Sequence, residues 1–386
     1  MKTKKHNQLE NAKFRFISLF ESEFSGFLRK PLRFAHRQLR LTEKSFAVIS
    51  ITLYFLSFFF LLFSSNSVLA SSKFAGEFLT LGVGARPLAM GGSYAAIADD
   101  STAAYWNPAG LGSLEHSEAS FMHSSLFGLD SFNFFNYVRP LRNNGAFGLS
   151  WLRVGVDDIF HTTVKNPASV SADNRPEIKE RFSNVDNAFF LSYGKNLRFD
   201  VNKRQVDVLV GANLKFIYTA SYKRNALGIG GDCGILWERR FGNQSKGNRF
   251  AVGITAQDFF RTKLFWNTPP ELPNQPSNTD IIMPNIKIGM SYLHNINALK
   301  SRVLLSVDTD SLYSFEMHYG LEYLFLDLLA LRIGLQEKKG WETFRDVTAG
   351  AGLWLAFAKG AAFAVDYAFV SSDLGNSNRV SLMTRF

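Results

Sequence analysis

Histidine is the residue type most open to catalysis in this chain, and there are seven. His6 and His36 lie in a basic amino-terminal tail. None of the others stands in a Ser–His–Asp or His-Glu-x-x-His arrangement. His123-Ser124 is an adjacent pair of the kind a membrane phospholipase uses, but no catalytic residue is expected. Gly82-Val83-Gly84 lacks the third glycine and the strand–helix setting of a nucleotide loop. Asp99-Asp100 has no nearby His or third carboxylate, so it reads as a turn or helix cap rather than a metal site. No metal or cofactor is expected. The single cysteine, Cys233, can form no intramolecular disulfide and follows no apolar run, so it reads as packing. The net charge of +10 resides mostly in residues 1–45, which alone carry +7 and leave the remainder near neutral. Nothing in that distribution points to nucleic acid.

The elements say more than the isolated side chains. Phe46 to Phe63 is an 18-residue run without charge, preceded by Arg40 and Lys44 and followed by SSNSVLASS. Val68 and Ala70 have the small-residue spacing that signal peptidase reads, which predicts cleavage before Ser71. The run is also just long enough to span as an uncleaved anchor. The tail 1–45 is an extended n-region or the product of a mis-assigned start. Residues 46–70 form the apolar region and cleavage site.

From about residue 115 onward the apolar residues alternate. Val208, Val210, Ala212, Leu214, Phe216 and Tyr218 are interleaved with Gly211, Asn213, Lys215 and Thr219. Met317, Tyr319, Leu321 and Tyr323 are interleaved with His318, Gly320 and Glu322. A period of two puts each set on one face of a sheet. The pattern recurs in about 14 segments: 117–124, 131–139, 144–154, 187–196, 205–219, 225–238, 248–258, 281–293, 300–309, 315–325, 328–336, 345–356, 360–370 and 377–386. Most are about ten residues long, enough for a tilted strand to cross a bilayer. The longest connections, 155–186 and 259–280, then fall on one rim, the arrangement bacterial barrels adopt outside the cell. The chain ends NRVSLMTRF, with Val380, Leu382 and Phe386 on one face as a carboxyl-terminal assembly signal. The predicted fold is all-β: a transmembrane antiparallel β-barrel of about 14 strands over 115–386, preceded by the remaining exported residues, 71–114, which the resemblance described next makes a plug in the lumen.

Residues 75–114 are dense in Gly and Ala and lack a strand period. The stretch LGVGARPLAMGGSYAAIADDSTAAYWNPAGL resembles the amino-terminal signature of the PorV/PorQ family, which belongs with the wider FadL-like outer-membrane barrels. The resemblance is carried by Gly84, Arg86, Met90, Gly91, Gly92, Asp99, Asp100, Trp106, Asn107, Pro108, Ala109 and Gly110. It implies a plug containing an Asn-Pro-Ala element, an address in the outer membrane of a Gram-negative-type bacterium, and binding or passage of hydrophobic molecules. Its alternative implication is a scaffold or shuttle that binds secreted proteins, as in type IX secretion. The implied partners are outer-membrane lipid, the barrel-assembly machinery, and a hydrophobic small molecule or a secreted protein. Arg86 is expected to pair with a lumen carboxylate such as Asp207, Asp232, Glu322 or Asp366. Asn107 is expected to hold about two or three hydrogen bonds.

Overall fold

The computed structural model describes residues 75–126, 130–142, 145–168, 171–201, 204–241, 247–267, 279–311, 315–339, 343–357, 360–372 and 375–386. The basic tail, the apolar run and the cleavage site at Val68, Ala70 and Ser71 lie outside the described residues.

Sixteen strands follow one another in the chain: β1 (Glu118–Leu126), β2 (Asp130–Leu141), β3 (Gly145–Thr163), β4 (Glu177–Val201), β5 (Arg204–Ser221), β6 (Arg224–Phe241), β7 (Asn248–Gln257), β8 (Lys263–Trp266), β9 (Thr279–Ile281), β10 (Asn285–Ile296), β11 (Ser301–Asp310), β12 (Phe315–Phe325), β13 (Leu329–Lys339), β14 (Thr343–Ala356), β15 (Ala362–Ser372) and β16 (Gly375–Arg385). Fourteen of them, β1–β7 and β10–β16, pair antiparallel in sequence order, and β1 pairs with β16 to close the ring. Closure leaves no edge in the wall, which is what permits a sheet to stand in hydrocarbon.

Each predicted alternation becomes one wall strand, and the faces sort as the period requires. Leu214, Phe216 and Tyr218 point outward and are exposed, while Asn213, Lys215 and Thr219 point inward and are buried. On β12, Tyr319 and Leu321 face out, and Glu316, His318 and Glu322 face in. An apolar exterior over a polar interior is the reverse of a water-soluble protein and identifies the surrounding medium as lipid. Among the described residues no helix is long and apolar enough to cross a membrane. Cys233 lies on that outer face and is exposed, so it meets lipid and takes no part in interior packing.

Two connections differ from the sequence reading. Residues 155–163 and 177–186 continue β3 and β4 as a paired ribbon instead of forming a loop. The phase is lost locally because of a bulge between Val156 and Ile159, where Asp158 takes a φ of 58°. Within 259–280, β8 pairs with Ala226–Ile229 of β6, and β9 pairs with β8. Both features lie at the far rim, opposite the rim where β1 begins and β16 ends. At that near rim Phe386 exchanges backbone hydrogen bonds with Ser117 and stacks on Tyr137, beside the closing seam. Val380 and Leu382 face outward on β16.

Candidate functional site

Residues 75–114 pack against the inward face of the wall and are almost wholly buried. They contain two short helices, α1 (Ala85–Ala89) and α2 (Ala103–Trp106), and a 3₁₀ turn, Pro108–Ser113. Gly84, with φ at 81°, opens α1 in a conformation a side chain would disfavour. Pro87 is tolerated in the first turn, where no partner is needed for its nitrogen. Gly91 and Gly92 both have positive φ and turn the chain away after Met90, which is fully buried. Gly91 N–H donates to Thr348 Oγ1 at 3.0 Å.

Asn107 caps the 3₁₀ turn. Its Oδ1 accepts from Ala109 N–H at 3.1 Å, and its Nδ2 donates to Ala95 O at 2.8 Å and to Ile235 O at 3.3 Å. Three hydrogen bonds satisfy a side chain with no exposure. Pro108 follows at the first position of the turn, where a proline fits. Trp106 Nε1 donates to Val83 O at 2.9 Å and ties α2 back to the residues before α1. This turn meets paired wall glycines. Gly194, Gly211 and Gly234 are consecutive ladder partners on β4, β5 and β6. A Cβ on Gly211 would lie 2.3 Å from the Pro108 carbonyl carbon. Gly110 is equally constrained, because its Cβ would sit 1.9 Å from Ala98 O.

Charge organises the other half of the segment. Arg86 on α1 forms a two-pronged pair with Glu322 of β12 at 2.9 and 3.0 Å. Its remaining nitrogen donates to Asp99 at 2.7 Å, Tyr94 at 2.8 Å and Asp100 at 3.2 Å. Glu322 also accepts from Arg332 of β13 at 2.6 Å, and Arg332 reaches Asp366 of β15 at 2.6 Å. On the opposite side Asp99 pairs with Arg249 of β7 at 3.2 Å, and Arg249 with Glu238 of β6 at 3.1 Å. One lattice of ion pairs therefore bridges the lumen from β15 to β6 through the segment. Of the four carboxylates expected for Arg86, only Glu322 meets it. Asp366 lies beyond Arg332 in the same lattice, Asp232 pairs with Lys215 at 2.8 Å, and Asp207 pairs with Arg198 at 2.9 Å.

Burial alone would lower the Arg86 pKa, but Asp99 and Glu322 outweigh it and hold the guanidinium more firmly charged than usual. Burial would raise the Asp99 carboxyl, yet Arg86 and Arg249 outweigh it and hold that group below its ordinary value. Asp100 also closes an Asx turn, accepting from Thr102 N–H at 2.9 Å, as its position before α2 suggested.

A second ionic cluster stands nearer the far rim. Lys215, 2% exposed, pairs with Asp232 at 2.8 Å and with Asp258 at 2.6 Å, just beyond β7. Asp258 begins a short turn whose next residues, Phe259 and Phe260, are exposed, Phe260 to 81%. Phe265 on β8 and Leu227 on β6 extend that apolar surface. A cavity of about 310 Å³ beside it is lined by Ser221, Arg224, Trp266 and Asp280, with Arg224 over the Trp266 ring. His123 and Ser124 are neighbours on β1, but His123 is exposed and bonds Asn133, while Ser124 is buried and bonds Asn378 O. They do not form a dyad.

Glu238, Arg249 and Arg332 were not singled out from the sequence. The available signal is that all three occupy inward positions of their strands.

Fold and site together define a closed membrane-type β-barrel whose inner face holds residues 75–114 through ion pairs and close backbone packing. No family model matches the sequence, and no characterised protein matches it. Among solved structures, the Pseudomonas putida toluene transporter TodX is similar over 79% of this chain and 97% of that one, at 11% identity and a TM-score of 0.43. A Pseudomonas aeruginosa FadL homologue is similar over 76% and 95%, at 12% identity and a TM-score of 0.42. The Acinetobacter baumannii outer membrane protein Omp33 is similar over 70% and 98%, at 10% identity and a TM-score of 0.37. The functional reading rests on this chain's own geometry.

Proposed function

We propose that this protein is a FadL-like barrel of PorV/PorQ type that takes up hydrophobic molecules at the outer surface and passes them across the outer membrane. The far rim faces outside, and residues 71–114 act as the plug. The observation that carries this reading is the apolar platform of Phe259, Phe260, Phe265 and Leu227, which the Asp258–Lys215 pair anchors to the inner wall. An exposed greasy surface at the rim, on the outward face that Leu227 and its ladder partner Phe265 share, is suited to collect an apolar solute from outside. Passage then requires the ionic half of the plug to yield. The outward residues Val380, Leu382 and Phe386 serve the barrel-assembly machinery on the way to the membrane.

A second reading is a shuttle that holds secreted proteins at the cell surface. The paired extension of β3 and β4 at the far rim favours it, because an exposed sheet offers backbone and side chains to a partner chain. Uptake of a labelled fatty acid separates the two. Cells carrying the wild type are expected to accumulate more label than cells lacking the protein, and Phe260→Asp is expected to reduce the gain. If the wild type adds nothing, the transport reading fails for that ligand class and the shuttle gains.

A further inference from the structure

Asp310 and Glu316 are direct ladder partners on β11 and β12, and both point inward and are buried. Like charges set opposite each other repel, so this pairing calls for a cation between them. His318, two residues beyond Glu316, shares the same face. Its Nδ1 lies 2.7 Å from Gly91 O. A carbonyl can only accept, so Nδ1 carries a proton; Nε2 stands at hydrogen-bond distance from the Asp310 carboxylate, and a metal entering there would take the place of that contact. That nitrogen lies 3.3 Å from Asp310 Oδ2 and 4.0 Å from Glu316 Oε2. One donor atom from each of the three residues falls within 4.8 Å of the others. Donors bound to one zinc-sized ion at about 2.0–2.2 Å sit roughly 3–4 Å apart, so little closure is needed. An imidazole held through its other nitrogen by a backbone carbonyl is also how metal-ligating histidines are usually oriented.

A second observation points the same way. Asp310 Oδ1 is buried and has no hydrogen-bond partner among the described residues. Lys287 supplies some compensating charge, with Nζ 3.2 Å from Asp310 Oδ2 and 5.4 Å from the centre of the Trp106 ring. Glu316 is less well matched. Lys338 faces it in the ladder but reaches Asp346 instead, leaving Gln336 Nε2 at 3.1 Å as its hydrogen-bond donor.

We propose that Asp310, Glu316 and His318 form a site for a divalent transition-metal ion of the zinc class, close to the β11–β12 turn at the far rim. The imidazole favours zinc and its first-row neighbours over calcium, which takes oxygen ligands. Lys287 is the competing cation and swings toward Trp106 when the metal enters. Because His318 also holds Gly91, the ion braces the wall against the amino-terminal segment.

The test uses the full exported chain, purified folded in detergent and stripped with a chelator. Titration with Zn²⁺, followed by calorimetry, is expected to show one ion bound per chain, with Ca²⁺ far weaker. His318→Gln and Glu316→Gln should each weaken zinc by about tenfold or more, and Lys287→Met should tighten it. Heat-modifiable gel migration confirms that each variant remains a barrel. The proposal is overturned if the wild type takes up no zinc, or if His318→Gln binds it as the wild type does. Should His318→Gln fail to fold, unchanged affinity in both Glu316→Gln and Lys287→Met overturns it equally.

Discussion

Between Gly84 and Asp100 the segment inside the barrel is held by charge; between Asn107 and Ser113 it is held by shape. Arg86 alone makes five side-chain hydrogen bonds, and four of them go to carboxylates. Among the described residues, no ion pair involves residues 107–113. That stretch relies on one capping asparagine and on close backbone approach to wall glycines. Charge contacts depend on protonation and on rival ions. A steric seat depends on neither and changes only if the wall moves. The ionic half is therefore the part able to let go while the barrel stays intact.

The largest effect is expected from Arg86→Ala, which strips the central cation from the lattice and leaves Glu322, Asp99 and Asp100 undercompensated. Breaking a buried pair in this way costs about 3–5 kcal/mol, borne by the segment and not by the wall. Planar-bilayer conductance should rise well above wild type while the barrel stays heat-modifiable. An unchanged conductance would mean that shape holds both halves.

Gly211→Val attacks the other half. A Cβ 2.3 Å from the Pro108 carbonyl carbon forces the turn off its seat, at roughly 1–3 kcal/mol. Conductance should rise here too, but with no dependence on salt beyond that of the wild type. A salt-sensitive rise would blur the division between the halves. Asn107→Ala removes three hydrogen bonds, with an expected loss of roughly 1–3 kcal/mol. Protein levels in the outer membrane should match wild type while fatty-acid uptake changes. Equal uptake would reduce the Asn-Pro-Ala element to a wedge.

The smallest effect is that of acid. The folded Asp99 pKa lies below the ordinary carboxylate value because Arg86 and Arg249 overcome burial. Its contribution to holding the segment is complete above about pH 4 and is lost as pH falls through the folded value. Conductance of the wild type should climb over that acid range, and Asp99→Asn should flatten the climb. A variant that responds to acid like the wild type would remove Asp99 from the latch.

The wall was readable in advance because a barrel with a wet interior repeats one local rule: each strand places its polar set inward. Ribbon residues 155–163 and 177–186 escaped that rule where the Val156–Ile159 bulge shifted its phase. Strands β8 and β9 were hidden in a proline-rich stretch whose apolar start has no alternation. Arg86 and Glu322 could be proposed as partners because each stood out in its own segment. Arg249, Glu238 and Arg332 could not, since no local signal tells which inward charges meet across a lumen. Gly194, Gly211 and Gly234 read only as small residues on a permissive face. Their register makes them a seat, and register is a property of three strands together.

Strand length in one quarter of the wall has a further meaning. β4 runs for 25 residues. At about 3.3 Å per residue and a tilt of about 40°, it climbs roughly 60 Å, against an apolar band of about 25 Å. β3 and β4 thus carry their paired extension beyond that band at the far rim, as a mast on one side of the opening. Phe160 and Ile178 are exposed along it. In the orientation proposed for transport, with the far rim outward, a molecule arriving from the water meets this mast before it reaches the lumen, so first contact and entry happen at different altitudes on the same molecule.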